Sequence, residues 1–89
     1  MDKMIIIPIN LFRLAQEILI VDETGTKTFA QVDLLTLPEV VVEASNVYGT
    51  NKIRLIGNSN YASALATEIT EYAIVNYSNT NLDIDIVEA

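Results

Sequence analysis

The chain has 89 residues, which is enough for one domain over residues 1–89 with a modest hydrophobic core. It contains neither cysteine nor histidine, which excludes disulfides, thiolate chemistry and the commonest general base. Five basic residues against twelve acidic ones give a net charge of −7, so we expect the surface to repel a phosphate backbone and nonspecific nucleic-acid binding to be absent.

The N-terminal segment predicts no membrane association. Its apolar run is far shorter than the roughly 18 residues that span a bilayer. Pro8 and Asn10 interrupt it, and it is too short for a signal peptide. We therefore expect a cytoplasmic protein without a membrane partner.

Three β-strands are predicted in the first part of the chain, at residues 3–9, 16–22 and 26–32. The first two contain continuous apolar runs, at residues 5–7 and 18–21, which are typical of strands buried on both sides. Pro8 has no N–H and should lie near the end of its strand. The turn at residues 22–25, with Gly25 at its end, joins the second and third strands into a hairpin.

Two helices and two further strands are predicted next. Thr36 and Glu39 have the spacing of a capping box, and Gly49 is placed to end the first helix. The core-facing stripe of that helix is predicted to contain Leu37, Val40, Val41, Ala44, Val47 and Tyr48. A strand at residues 52–56 leads to a second helix capped by Asn58 or Ser59, with an inner face of Ala62, Leu65, Ala66, Ile69 and Ala73. Residues 82–86 alternate like a strand with one wet face.

The predicted fold class is α/β with element order β-β-β-α-β-α-β. Charges within the third and fifth strands make them edge strands, which gives a five-stranded mixed sheet in the order 3-2-1-4-5. Both crossovers step in the same direction, so right-handed connections place two helices on one face.

This order resembles the ribonuclease H-like fold over nearly the whole chain. Nucleases of that fold hold two metal ions with carboxylates on the first strand, near the fourth strand and on a helix. Here the first strand has no acid, Asp2 precedes it, and the fourth strand offers Lys52 and Arg54. The resemblance therefore implies the fold without the nuclease activity. The twelve isoleucines and eight asparagines also resemble the composition of small uncharacterised bacteriophage proteins.

One face of the predicted sheet has no helix to cover it, although its central strands are apolar on both sides. Such a face exceeds the apolar patch of a typical soluble monomer, so we expect a partner, either a second copy or another protein. The candidate interface residues are Ile5, Ile7, Ile18, Ile20 and Arg54. Arg13, in the first loop, is a further candidate for the same interface role as Arg54. The alternative is that residues 10–15 fold over the face with Phe12 and Leu14. A one-residue change of register would exchange the two faces, so their assignment stays open.

A second candidate site lies where the first and fourth strands end. Asn10, Gly57, Asn58 and Ser59 would meet at this switch point, and the start of a helix favours anions. The alternatives are a small anionic ligand or nucleotide, or a plain helix cap beside a tight turn.

No other residue pattern predicts an enzyme. Glu68 and Glu71 share a helix face and are interpreted as solvated side chains, and no metal or cofactor site is predicted. We expect a noncatalytic interaction or structural module that forms a homo-oligomer. If a phage encodes it, its place is the virion or the host cytoplasm, as an accessory protein or an inhibitor of a host protein.

Overall fold

A computed structural model describes residues 3–89 as a five-stranded mixed β-sheet with two α-helices. In chain order the elements are β1 (Met4–Pro8), β2 (Gln16–Asp22), β3 (Gly25–Val32), α1 (Leu37–Tyr48), β4 (Lys52–Gly57), α2 (Ser59–Tyr77) and β5 (Asp83–Glu88). The strand order β3-β2-β1-β4-β5 confirms the predicted sheet, with β3 and β5 at its edges.

The connections determine how the strands pair. β2 runs antiparallel to both β1 and β3, because short loops join these strands. β4 runs parallel to β1 and β5, and the crossovers that this requires contain α1 and α2. The centre of the sheet is therefore the parallel pair β1–β4, where the chain changes direction across the sheet.

A β-bulge ties the edge strand β3 to the first helix. Ile18 pairs with Ala30 and Leu19 pairs with Thr28, so Phe29 is an extra residue in β3. Its ring packs edge-on against Tyr48 of α1, with 5.7 Å between the ring centroids. The bulge thus helps to hold α1 against the β3 side of the sheet.

The hydrophobic core lies between the sheet and both helices, which pack against each other on the same face. Burial alternates along the strands, as expected for a sheet covered on one side only. The largest contributors are Ile5, Ile7, Ile18, Ile20, Ile53 and Leu55 from the strands and Leu37, Val41, Val42, Leu65 and Ile69 from the helices. Each such side chain stabilises the fold by about 1.5–3 kcal/mol, so this layer supplies most of the stability.

The start of α1 differs from the predicted capping box. Thr36 occupies the N-cap position, but its backbone is already close to helical (φ −94°, ψ −7°) and its side chain makes no capping bond. Instead, Asp33 Oδ1 accepts hydrogen bonds from the Thr36 N–H (3.0 Å) and the Thr36 hydroxyl (3.1 Å). The capping box is therefore wrong, because the Thr36 side chain is held by the preceding turn.

The end of α1 confirms one prediction and corrects another. Gly49 ends the helix in the left-handed conformation (φ 64°), as predicted. Val47 is exposed rather than part of the core stripe, and Val42 is buried instead. The contact stripe of α1 is rotated because the helix packs against α2 as well as against the sheet.

The second helix follows its prediction closely. Asn58 is the N-cap, and its Oδ1 accepts a hydrogen bond from the Tyr61 N–H at 3.1 Å. Its predicted inner face is buried or partly buried. The helix ends at Ser78, which adopts the left-handed conformation (φ 52°) without being a glycine. Within residues 3–89 neither helix is long and apolar enough to cross a membrane.

Candidate docking surface on the open face of the sheet

The buried face of the sheet contains most of the predicted interface. Ile5, Ile7, Ile18 and Ile20 have no exposed surface and lie beneath α1 and α2. Assigning them to an accessible interface is therefore wrong. The physical reason is that successive residues of a strand point to opposite sides of the sheet. The helices cover the side on which these four isoleucines lie.

The opposite face, called here the open face, has an apolar centre between polar edges. Its middle row crosses the sheet through Thr28, Leu19, Ile6, Arg54 and Asp85, each paired in register with the next. Residues opposite each other in a register share a face. The three central side chains of the row are half-buried, whereas Thr28 and Asp85 at its two ends are exposed.

Four more apolar residues extend this centre along the strands. Met4 pairs with Val21 on one side of the middle row, and Pro8 pairs with Ile56 on the other. All four are half-buried, and none belongs to the core cluster or to the residues packed against it. The open face therefore presents a contiguous patch of Ile6, Leu19, Met4, Val21, Pro8 and Ile56.

Arg54 lies on this face, as its predicted interface role requires. Its guanidinium forms a two-point ion pair with Asp85 of the neighbouring strand, at 3.2 Å from Nε to Oδ1 and 3.0 Å from Nη2 to Oδ2. The hydrogen bonds to Asp85 raise the pKa of Arg54. The acid that Arg54 meets thus belongs to its own chain, and a part for Arg54 in an interface stays a prediction.

The loop between β1 and β2 does not cover the open face. Phe12 is 100% exposed and Leu14 is 95% exposed, so the predicted alternative of a folded-back loop is wrong. The loop is held by Gln16, whose buried side chain accepts from the Asn10 N–H (2.7 Å) and donates to the carbonyls of Asn10 (2.7 Å) and Arg13 (3.0 Å). These bonds keep the loop beside the sheet end, with its apolar side chains in solvent.

No protein-family model matches the chain, and no curated protein matches its sequence. The arrangement of side chains is therefore the basis for assigning a function.

The second predicted site forms a crevice of about 450 Å³ at the ends of β1 and β4. Asn10, Gly57 and Asn58 contribute to its wall, as predicted, whereas Ser59 begins α2 and is not among the residues that line it. Glycine suits this position because a Cβ there would lie 3.2 Å from the Ile9 Cβ, which is a tight contact. The strands and their glycine turn thus create the predicted crevice.

The polar groups of the crevice are already engaged. Asn58 Oδ1 caps α2, and Asn10 Oδ1 accepts from the Phe12 N–H at 3.0 Å. The rest of the wall is mainly apolar and contains no basic side chain. An anion in this crevice would therefore meet no cationic partner.

The described residues contain no group of three or more acidic, histidine or cysteine side chains placed to hold a metal ion. Among the acids considered for the nuclease comparison, Asp2 lies outside the described residues.

Two features of the surface were not found from the sequence. One is the buried Gln16 that shapes the first loop. The other is a groove on the helix layer, at which Leu35 and Val75 are 94% and 80% exposed. The sequence could have indicated the groove, because Leu35 and Val75 are apolar but belong to neither predicted core stripe.

Proposed function

We propose that the protein is a noncatalytic interaction module that forms a homodimer through the open face of its sheet. The observation that carries the proposal is the apolar centre of that face, formed by Ile6, Leu19 and Ile56 among others, which no described part of the chain covers. Burial of apolar side chains is the main driving force for association, and the uncovered apolar centre of the sheet offers such burial to a second copy.

The charges on the open face favour a second copy over a basic partner. The whole chain is acidic, but this face contains both signs, with Glu17 on β2 and the Arg54–Asp85 pair on β4 and β5. Two copies of such a face have opposite charges available for pairing around a shared apolar centre. A strongly basic partner would find Asp85 of this face already paired with Arg54 of its own chain.

The size of the face indicates a weak dimer. Five strands about 4.8 Å apart and five residues at about 3.3 Å each give roughly 24 by 17 Å, or about 400 Å² on each copy. Standard interfaces bury about 800 Å² on each partner. We therefore expect dissociation constants from tens of micromolar upwards rather than a permanent dimer.

Neighbouring residues of β2 provide a matched test. Leu19→Lys places a charge on the open face, and Ile18→Lys places one in the core. We expect Leu19→Lys to weaken dimerisation at least tenfold while the protein stays folded, and Ile18→Lys to unfold it. Sedimentation equilibrium from about 10 µM to 1 mM measures association, and circular dichroism measures folding.

Two results would contradict the proposal. A wild-type chain that stays monomeric at about 1 mM has no useful self-affinity. A Leu19→Lys variant that associates as strongly as the wild type through all concentrations would show that any association uses another surface.

We also propose a fold relationship and an origin, both from resemblance. The strand order and the central parallel pair support a catalytically inert relative of the ribonuclease H-like fold. The isoleucine and asparagine content supports a phage-encoded accessory protein or host inhibitor that acts in the host cytoplasm or the virion. The genes beside this one would test the origin, since virion genes and early anti-host genes occur in separate clusters.

The crevice between β1 and β4 does not support a second function as an anion or nucleotide site. Its wall lacks a basic side chain, and both of its asparagine carbonyl groups are engaged. The mixed charges and apolar centre of the open face carry the stronger argument, so we place function there.

A further inference from the structure

The loop between β1 and β2 contains large apolar side chains that are exposed to solvent in the single chain. Residues 11–14, called here the docking loop, have the sequence Leu-Phe-Arg-Leu. Phe12 is fully exposed and Leu14 almost so. Phenylalanine and arginine are both enriched in the cores of protein interfaces, and Phe12 and Arg13 are adjacent in this loop.

The docking loop is held in shape before any partner arrives. The Gln16 side chain binds the backbone at Asn10 and Arg13, and Asn10 Oδ1 holds the Phe12 N–H. The Asn10 carbonyl also accepts from the Arg13 N–H at 3.1 Å. A loop fixed in this way loses little conformational entropy on binding, which favours affinity.

A groove of about 390 Å³ lies on the outer side of the helix layer, where the start of α1 meets the second half of α2. Leu35, Pro38, Tyr72 and Val75 form its apolar surface. Leu35 and Val75 are strongly exposed, so a partner side chain can reach them. We call this feature the helix groove.

The helix groove lies in an acidic part of the molecule. Glu68 and Glu71 line it, and both carboxylates are exposed. The two helices contain four glutamates and no lysine or arginine, so all five basic residues of the chain lie elsewhere. Burial and then Glu39 raise the pKa of Tyr72 in the groove wall, which is consistent with a negative potential there.

We infer that the docking loop of one copy binds in the helix groove of a second copy. Phe12 and Leu14 cover the apolar surface around Leu35 and Val75. Arg13 pairs with Glu68 or Glu71 at the rim. The argument for a second copy as the occupant is complementarity: the loop is apolar with one cation, and the groove is apolar with two anions. This contact uses neither face of the sheet and is independent of the proposed dimer.

Complementation between two variants tests the contact. All chains carry Leu19→Lys, which removes association through the open face. Phe12→Asp disables the loop, and Val75→Asp disables the groove. We expect each change to weaken the remaining self-association at least tenfold. A mixture of the two regains association, because it pairs an intact loop with an intact groove. Sedimentation velocity follows all three samples.

Val47→Asp is the control for the groove variant. Val47 is an exposed valine of α1 outside the groove, so the same change there should leave association within twofold of its parent. Circular dichroism confirms that each variant is folded, which is expected because Phe12, Val47 and Val75 are all exposed.

A charge exchange tests the role of Arg13 separately. Arg13→Glu should weaken the contact at least tenfold, and adding Glu68→Arg and Glu71→Arg to it should restore the affinity to within about threefold. Lys27→Glu makes the same change of charge on β3 and should have little effect, because Lys27 pairs with Ile20, whereas the loop joins β2 at its other end, at Gln16.

The outcomes separate this inference from the proposed dimer. A Leu19→Lys chain that is monomeric at all concentrations, or a mixture that stays monomeric, overturns the loop–groove contact and leaves the open-face dimer intact. If Leu19→Lys leaves association unchanged, the open-face dimer is overturned. The mixture of Phe12→Asp and Val75→Asp still tests the loop–groove contact in that case.

Discussion

Gln16 shows how one buried polar side chain determines the form of a surface. It occupies the first position of β2, is almost fully buried, and satisfies three backbone groups of the preceding loop. A buried amide is tolerated only when it is hydrogen-bonded, so its position and the shape of the loop depend on each other.

We expect Gln16→Met to destabilise the fold by about 2–3 kcal/mol, because three backbone groups lose their partner while the volume is conserved. Glu17→Met is the control, since Glu17 faces the open side, and it should change stability by less than about 0.5 kcal/mol. Urea unfolding gives both values. Hydrogen exchange should also become faster at the amides of Asn10 and Phe12 in Gln16→Met, and unchanged protection there would contradict the role assigned to Gln16.

The two helices show how left-handed end residues contribute at the scale of an element. Both helices end in this conformation, α1 at Gly49 (φ 64°) and α2 at Ser78 (φ 52°). A glycine adopts this conformation without steric cost, whereas a residue with a Cβ is strained by about 1 kcal/mol. The favourable glycine is therefore present at the end of α1 but not at the end of α2.

Exchanging the residue types should therefore have opposite effects at the two ends. Gly49→Ala should destabilise the protein by about 1 kcal/mol, and Ser78→Gly should stabilise it by roughly 0.5–1 kcal/mol. Thermal and urea unfolding measure both changes. A loss of stability in both variants would mean that the Ser78 side chain contributes more than its backbone strain costs.

The elements themselves could be predicted because their signals are local. Helical periodicity, the Gly49 stop and a cap at Asn58 or Ser59 identified both helices, and charges within β3 and β5 identified the edges. Element ends were less predictable: β5 continues to Glu88, because its pairing with β4 extends beyond the alternating segment.

The side of the sheet that each strand residue faces was harder to predict than the sheet itself. In β1, Ile5, Ile6 and Ile7 are all apolar, so the sequence contains no alternation to read. The signal was in β4, where Lys52 and Arg54 share one side and leave Ile53 and Leu55 for the core. Because Ile6 pairs with Arg54, the same parity assigns Ile5 and Ile7 to the covered face.

At the scale of the whole molecule, the two proposed contacts rest on two asymmetries, one in the placement of the helices and one in the distribution of charge. Both helices lie on one side of the sheet, so the other side keeps an apolar centre without cover. The helices also contain acids and no bases, which separates an acidic helix layer from strands and loops that contain every lysine and arginine. The first property favours an apolar contact and the second favours an electrostatic one.

Salt should therefore affect the two contacts differently. Leu19→Lys leaves only the loop–groove contact and Val75→Lys leaves only the open-face contact, and each variant has a net charge of −6 (−7 + 1). The equal net charges give both variants the same overall repulsion between copies, and Arg54 on the open face is already paired with Asp85 of its own chain, so the comparison reports mainly on the Arg13–glutamate pairs. Between 0.15 and 1 M NaCl, where the screening length falls from about 8 to 3 Å, the loop–groove contact should weaken about two- to fivefold relative to the open-face contact. Equal salt responses in sedimentation equilibrium would show that the loop–groove contact does not depend on an ion pair.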